Sequence, residues 1–137
     1  MNGEKYIVYI VDDDVDDLEI LSEAFQNSGC ASVIKCFTSG IALFDSLGLK
    51  DFAVPDIIIL DHYLSLSDGV DIPERIRDEK IFDSVTLALY SSALQPVKVQ
   101  QLLQKGVDVC RQKGNSAEEL KSDVESFCKA IKNKQKK

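Results

Sequence analysis

Two short apolar runs in this sequence end in carboxylates. Residues 57–60, Ile-Ile-Ile-Leu, are followed directly by Asp61, and the apolar run at residues 7–11 is followed by Asp12 and Asp13. Uninterrupted runs of this kind predict strands of a parallel sheet that is buried on both faces. Because ligands bind beyond the carboxyl ends of such strands, we expect the three acids to share one pocket.

Carboxylates that share a pocket repel one another unless a hard cation or shared protons compensate. Asp12, Asp13 and Asp61 would supply the oxygen ligands that a hard cation prefers. A structural interpretation is that these acids are helix N-caps and solvated loop residues. It explains one acid after one strand as well as a binding site does, but the same arrangement after two strands favours a cation site.

The elements that would position these acids alternate between strand and helix. Periodicity predicts five strands, each followed by a helix with apolar residues at helical spacing. The predicted strands are residues 7–11, 32–37, 57–61, 85–90 and 107–110. Consecutive βα units require right-handed crossovers. We therefore predict an α/β fold of the doubly wound, flavodoxin-like (βα)5 type, with a five-stranded parallel sheet and five helices on both faces.

Helix boundaries follow from prolines and small residues. The second predicted helix carries Ile41, Phe44 and Leu47 after a Thr-Ser-Gly capping stretch. Pro73 is compatible with a helix only in its first turn, which predicts that the third helix starts near Gly69 or Val70.

The last predicted helix has a clear start and a basic end. Ser116 and Glu119 have the spacing of a capping box. From Lys129 onward there are five lysines and no acid, which predicts a frayed, solvated end. We expect one domain at residues 1–132 and a disordered basic tail at residues 133–137, with no effector domain.

Composition limits the possible partners. A chain of 137 residues with 45% hydrophobic and 28% charged residues is typical of one globular domain. The formal net charge of -7 argues against nucleic-acid binding, which needs a basic surface. No apolar stretch approaches the roughly 20 residues of a membrane span, and no signal peptide is recognisable. We therefore expect a cytoplasmic protein that binds neither nucleic acid nor membrane.

The cysteines show no pattern of a metal site. Cys30, Cys36, Cys110 and Cys128 form no C-x-x-C pair and have no histidine cluster nearby. The expectation is four buried thiols in a reducing compartment.

The carboxyl ends of the predicted strands carry, in chain order, Asp12 and Asp13, then Asp61, then Ser91, then Lys113. Two acids, a further acid, a hydroxyl and an amine in this order resemble the receiver domain of bacterial two-component response regulators. The resemblance covers nearly the whole chain. It is specific because of the order of all these parts, since each residue alone is weak evidence.

The resemblance implies a role for each acid. Asp61 would accept a phosphoryl group from a histidine kinase or a histidine phosphotransfer protein. Asp13, Asp61 and the backbone carbonyl of Tyr63 would bind Mg²⁺ directly, and Asp12 would act through water.

The resemblance also assigns Ser91 as the switch hydroxyl and Lys113 as the pocket lysine. Three features depart from the family pattern. The loop after Asp61, residues 64–69, lacks the Pro-Gly often found there. Gly114 replaces the usual proline after the lysine, and Cys110 stands where many receivers carry a switch Tyr or Phe. A thiol cannot reproduce the turning of an aromatic ring.

Three functions compete on this basis. The leading hypothesis is a single-domain response regulator, a monomer or weak dimer, that is phosphorylated on Asp61 with Mg²⁺ and then docks on an unknown downstream protein. It would not turn over external substrates. The second is a receiver-fold adaptor that works without phosphorylation. The third is an aspartate-nucleophile phosphatase of the haloacid dehalogenase type, but Asp61-His62-Tyr63 lacks the second acid of its D-x-D motif.

Overall fold

Five parallel strands form the central sheet of the computed structural model, which describes residues 5–61, 66–67 and 70–135. The strands of this sheet are β1 (Tyr6–Val11), β2 (Ala31–Phe37), β3 (Ile57–Asp61), β6 (Thr86–Ser91) and β7 (Val109–Gln112). Their order across the sheet is β2-β1-β3-β6-β7. Two further strands, β4 (Leu66–Ser67) and β5 (Val70–Asp71), pair with each other in antiparallel orientation. The doubly wound fold predicted from the sequence is confirmed.

Helices cover both faces of the sheet. The helices are α1 (Val15–Ser28), α2 (Gly40–Asp45), α3 (Ile72–Asp78), α4 (Pro96–Gln104) and α5 (Ala117–Gln135), with 3-10 turns at Ser46–Gly48 and Lys80–Phe82. Side chains of α1 and α5 pack on one face of the sheet and form the α1/α5 core. Side chains of α2, α3 and α4 pack on the other face and form the α2/α3/α4 core. All five residues of β3 are buried between these cores.

Helix α1 shows how the sequence sets one of these elements. Asp14 is its N-cap and accepts hydrogen bonds from two backbone amides of the first turn. Gly29 ends it in the left-handed conformation, at φ 77°, which glycine adopts without strain. Leu18, Leu21 and Phe25 are buried, as their helical spacing predicts, whereas Val15, which shares that spacing, is 63% exposed.

Helices α2 and α3 differ from the predicted boundaries. Helix α2 ends at Asp45, so Leu47 lies in the following 3-10 turn, where it is partly buried against the α2/α3/α4 core. Leu43 and Phe44 are the buried apolar residues of the helix, whereas Ile41, which was predicted to share the apolar face, is 57% exposed. Helix α3 begins at Ile72 because Asp71 caps it, accepting a hydrogen bond from the amide of Glu74 at 3.1 Å. Pro73 lies in the first turn, as predicted.

The frayed end expected from Lys129 onward is not what the structure shows. Ser116 caps α5 as predicted, since its hydroxyl accepts from the amide of Glu119 at 3.1 Å. The helix then continues to Gln135. Lys134 Nζ donates to the carbonyl of Val85 at 3.0 Å and to Asp108 at 2.8 Å. These contacts hold the last turn of α5 against the residues that directly precede β6 and β7.

The prediction of four free thiols is wrong. Cys30, just after α1, and Cys128, on α5, form a disulfide. Cys36 is an exposed free thiol and Cys110 is a half-buried one. Among the described residues, no helix has the length and apolar character needed to cross a membrane.

Candidate functional site

Three carboxylates meet at the carboxyl edge of the sheet. Carboxylate oxygens of Asp12, Asp13 and Asp61 all lie within 4.8 Å of one another. Asp12 and Asp61 are only 5% and 7% exposed, whereas Asp13 is exposed. The structure therefore brings the three acids together, as the sequence predicted.

Strand register explains this convergence. Val11 of β1 pairs with Leu60 of β3, so Asp12 and Asp61 come next on two adjacent parallel strands. The amide of Asp12 donates to the carbonyl of Phe37 at 3.0 Å, which extends the pairing of β1 with β2. Asp12 Oδ1 also accepts from the amide of Asp14 at 2.9 Å. The chain leaves β1 in a fixed direction as a result.

Lys113 brings a positive charge to the acids. Its amide donates to the carbonyl of Ser91 at 2.7 Å, which holds the end of β7 against β6. Its Nζ lies 3.2 Å from Asp12 Oδ2 and 3.2 Å from Asp17 Oδ2. Burial alone would lower the pKa of Lys113, but the charges of Asp61 and Asp12, together with the hydrogen bonds to Asp12 and Asp17, outweigh it and the pKa is raised. The side chain is therefore an ammonium at neutral pH.

The donor set fits a hard divalent cation. Asp12, Asp13 and Asp61 offer oxygen ligands, which Mg²⁺ prefers. One ammonium, that of Lys113, does not balance three carboxylates, two of which are largely removed from water. A cation beside them would reduce this repulsion. The fourth predicted ligand, the carbonyl of Tyr63, lies outside the described residues, as does His62.

Ser91 is the last residue of β6 and is fully buried. Its hydroxyl donates to the carbonyl of Ala93 at 3.1 Å, and it accepts from the amide of Ala93 at 3.2 Å. The predicted switch hydroxyl is thus bonded to its own loop. It would have to leave this contact to donate elsewhere in the pocket.

Cys110 lies in β7 opposite Leu89 of β6 and packs, half-buried, against the α2/α3/α4 core. Burial raises the pKa of its thiol, so the thiol is neutral at neutral pH. The residue behaves as a small apolar side chain at this position.

Three residues of the site were not singled out in the sequence. Asp17 lies in the first turn of α1 and contacts Lys113 Nζ. The ring of Tyr90 lies 5.7 Å from Lys113 Nζ, close enough for a cation–π contact. The Tyr90 hydroxyl donates to the buried Asp123 at 2.5 Å. Burial is the larger cause that raises the pKa of Tyr90, and this hydrogen bond is the second, so the hydroxyl keeps its proton.

Weak signals for these residues were present in the sequence. Asp17 belongs to an acidic stretch, Asp12 to Asp17, that holds five aspartates. Asp123 stands beside Val124 and between Leu120 and Phe127, on the face of α5 that turns toward the core. An acid on an apolar helix face signals a buried, partnered carboxylate.

Comparison with known proteins gives one family. The model of the response regulator receiver domain matches residues 8–125. No curated protein sequence matches significantly.

Solved structures with the same fold share little sequence with this chain. The phosphorylated cyanobacterial phytochrome response regulator RcpA is 18% identical, with a TM-score of 0.77, and the match covers 90% of this chain and 91% of that one. The chemotaxis response regulator CheY4 of Vibrio cholerae is 20% identical, with a TM-score of 0.72 and coverage of 89% and 98%. The Mn²⁺-bound response regulator Rcp1 is 17% identical, with a TM-score of 0.75 and coverage of 89% and 91%.

Proposed function

This chain belongs to the family of response regulator receiver domains, and we propose that Asp61 is the residue on which it accepts a phosphoryl group. Receiver domains accept phosphoryl groups in two-component signalling, where they interact with histidine kinases or phosphotransfer proteins and with downstream targets. They are signalling modules and do not turn over external substrates.

The observation that carries this proposal is that Asp61 lies close to charges of both signs. It ends the central strand β3, within 4.8 Å of the Asp12 and Asp13 carboxylates. It is also close enough to Lys113 for its charge to raise the pKa of that amine. A nucleophilic carboxylate with cation ligands and an ammonium around it has what phosphoryl transfer requires.

The transfer itself needs little from Asp61 beyond position. A carboxylate oxygen of Asp61 forms a bond to phosphorus while the bond from phosphorus to the donor's imidazole nitrogen breaks, and that electron pair stays on the donor. Charge in the transition state lies on the peripheral phosphoryl oxygens. In this proposal the Lys113 ammonium stabilises that charge.

Mg²⁺ is part of this proposal. Asp13 and Asp61 would hold it directly, with the Tyr63 carbonyl, and Asp12 would hold it through water. The cation would supply charge neutralisation at the phosphoryl oxygens. In the structure Asp12 is paired with Lys113 at 3.2 Å, and Asp13 is the exposed member of the cluster.

Ser91 provides a route for the signal. Before phosphorylation its hydroxyl is bonded to Ala93 within its own loop. A phosphoryl group on Asp61 offers Ser91 a charged acceptor, and hydrogen bonds to charged acceptors are roughly twice as strong as neutral ones. The loop that begins at Ser92 would move with Ser91, so a downstream protein docking there would bind the two states differently.

A cytoplasmic location is part of this proposal, since it suits a protein that receives phosphoryl groups from kinases.

The two competing functions explain the site less well. A phosphorylation-independent adaptor does not account for the presence, at one edge of the sheet, of Asp12, Asp13, Asp61, Ser91 and Lys113. A phosphatase of the haloacid dehalogenase type needs a second acid two residues after the nucleophile, where this chain has Tyr63.

Phosphorylation by acetyl phosphate, a small phosphodonor, tests the proposal. We expect wild-type protein with Mg²⁺ to gain the mass of one phosphoryl group. Asp61→Asn is expected to gain none, and neither is wild type in EDTA. Intact-mass measurement follows all three samples.

Asp51→Asn is the matched control, because Asp51 is an exposed aspartate outside the site. It should label like wild type. Labelling of Asp61→Asn at another residue, to the same extent as wild type, contradicts the assignment of Asp61. An unlabelled wild type at millimolar donor and Mg²⁺ favours the adaptor.

A further inference from the structure

Asp123 is a carboxylate with only 3% exposure, in the second turn of α5, and it accepts several hydrogen bonds. Its Oδ2 accepts from the Tyr90 hydroxyl at 2.5 Å and from the amide of Gly114 at 2.9 Å. Its Oδ1 accepts from Arg111 Nε at 2.5 Å. None of the roles proposed above for the phosphoryl pocket uses this carboxylate.

The partners of Asp123 surround Lys113. Gly114 is the next residue along the chain, and Arg111 lies two residues before it. The Tyr90 ring, whose hydroxyl is bonded to Asp123, lies 5.7 Å from Lys113 Nζ. Asp123 therefore holds both the backbone that follows Lys113 and the ring beside its ammonium.

Gly114 shows how closely this loop is fitted to α5. A Cβ atom at residue 114 would lie 2.5 Å from Glu119 Cβ, 3.0 Å from the Glu119 carbonyl carbon and 3.2 Å from Asp123 Oδ2. A side chain at this position would push the loop away from the helix. The backbone of Gly114 is close to α5 because it has no side chain, and its amide then reaches the Asp123 carboxylate.

We propose that Asp123 is a positioning residue for phosphoryl transfer, holding Lys113 in place through Gly114 and Tyr90. This inference rests on the proposed function of the Asp61 pocket. A lysine side chain has four rotatable bonds, so its ammonium is precise only where its backbone and neighbours are fixed. Catalytic groups displaced by about 1 Å lose much of their effect.

A purely structural role for Asp123 makes a different prediction. If the carboxylate only fastens α5 to the sheet, its loss lowers stability and leaves the rate of phosphoryl uptake unchanged in the folded protein. Asp108 provides the comparison. Its carboxylate also accepts hydrogen bonds from the Arg77 guanidinium and from the backbone amide of Leu87, and it accepts one from Lys134 Nζ. It lies just before β7, at the opposite edge of the sheet.

The experiment compares Asp123→Ala, Asp123→Asn and Asp108→Ala with wild type, well below the melting temperature of each protein. Acetyl phosphate and saturating Mg²⁺ are the probes, and intact mass gives the uptake rate. Amide hydrogen exchange at Lys113 and Gly114, measured by NMR without phosphodonor, gives the order of the loop.

We expect Asp123→Ala to take up phosphoryl groups about tenfold more slowly than wild type, with faster amide exchange at Lys113 and Gly114. Asp123→Asn keeps a carbonyl oxygen that can accept from Tyr90 and Gly114, so it should recover most of the rate. Asp108→Ala should be less stable than wild type and phosphorylated at the wild-type rate.

Three results would overturn the proposal. They are a wild-type rate in Asp123→Ala, an equal slowing in Asp108→Ala, and an Asp123→Asn protein as slow as Asp123→Ala. If Asp123→Ala does not fold, Tyr90→Phe replaces it, since it removes one bond to Oδ2 and keeps the ring. It should slow uptake, and a wild-type rate there would count against the proposal.

The experiment distinguishes failure of the proposed function of Asp61 from failure of the proposed role of Asp123. A wild-type protein that takes up no phosphoryl group refutes the role of Asp61. The exchange rates at Lys113 and Gly114 then still decide whether Asp123 orders the loop.

Discussion

Asp13 differs from the other acids of the pocket because it is exposed to solvent. Its substitution removes one charge from the cluster without leaving a cavity or an unpaired buried group. Asp12 and Asp61 then repel one carboxylate fewer. Asp13 is thus the position at which the energetic cost of the acid cluster can be measured.

We predict that Asp13→Asn melts at a higher temperature than wild type in EDTA. Mg²⁺ should raise the melting temperature of wild type, because a ligand that binds only the native state adds about 2.7 kcal/mol at 100 times its Kd. The variant should gain much less. Thermal unfolding followed by circular dichroism, at constant ionic strength, measures both effects.

Asp16→Asn is the control for this prediction, since Asp16 is an exposed acid of the same segment outside the cluster. It should keep the full response to Mg²⁺. A wild-type melting curve that Mg²⁺ does not move would show that the pocket does not bind this cation in the folded state.

Residues that directly follow strands could be predicted as site residues, and helix residues could not. Asp12, Asp61 and Lys113 follow or end strands, and parallel strands bring their carboxyl ends to one edge whatever the helices do. Asp17 contacts Lys113 from α1, and Asp123 contacts Tyr90 and Gly114 from α5. Whether a helix residue faces the site depends on how the helix is rotated and packed, which periodicity alone does not determine.

The loop after β6 is the element through which we expect the phosphorylation signal to leave the pocket. Ser91 is bonded to Ala93 in the same loop, so a change of partner by the hydroxyl moves the loop backbone. Cys110, on β7, is half-buried against the α2/α3/α4 core, and its short side chain has too little area to change a docking surface.

We predict that backbone amide shifts on phosphorylation concentrate in residues 91–96. Ser91→Ala should lose most of these shifts, because no hydroxyl remains to follow the phosphoryl group. Cys110→Ala, the matched control on the neighbouring strand, should keep them. Two-dimensional NMR of each protein, with and without acetyl phosphate and Mg²⁺, measures the shifts. Loss of the shifts in Cys110→Ala, with Ser91→Ala unaffected, would place the route through β7.

Four of the five strands of the central sheet lie within one residue of their predicted bounds, whereas the last, predicted at residues 107–110, is β7 at Val109–Gln112. The apolar runs before Asp12 and Asp61 are typical of buried strands, and β1 and β3 lie where those runs are. Helix α2 stops after six residues, and its remaining apolar position, Leu47, continues in a 3-10 turn. Periodicity is the same for both conformations over so short a distance, so only tertiary packing decides between them.

At the scale of the whole molecule, the disulfide between Cys30 and Cys128 joins parts that are far apart in the sequence. The two cysteines are separated by 98 residues, and their spacing gives no sign of pairing. Their proximity follows from the fold, because α1 and α5 pack on the same face of the sheet. A disulfide of this kind can be predicted only when the packing of the helices is known.

The disulfide should stabilise the protein because it restricts the unfolded chain. Closing so long a loop contributes roughly 2–4 kcal/mol to the free energy of unfolding. We predict that Cys128→Ser, or reduction by dithiothreitol, lowers that free energy by about this amount in urea unfolding. Cys36→Ser, which alters an exposed free thiol, should leave it unchanged. Alkylation in denaturant without reductant should modify two cysteines, Cys36 and Cys110, and modification of all four would contradict the disulfide. Since disulfides are rare in reducing compartments, the same alkylation on freshly lysed cells would show which form is present where the protein works.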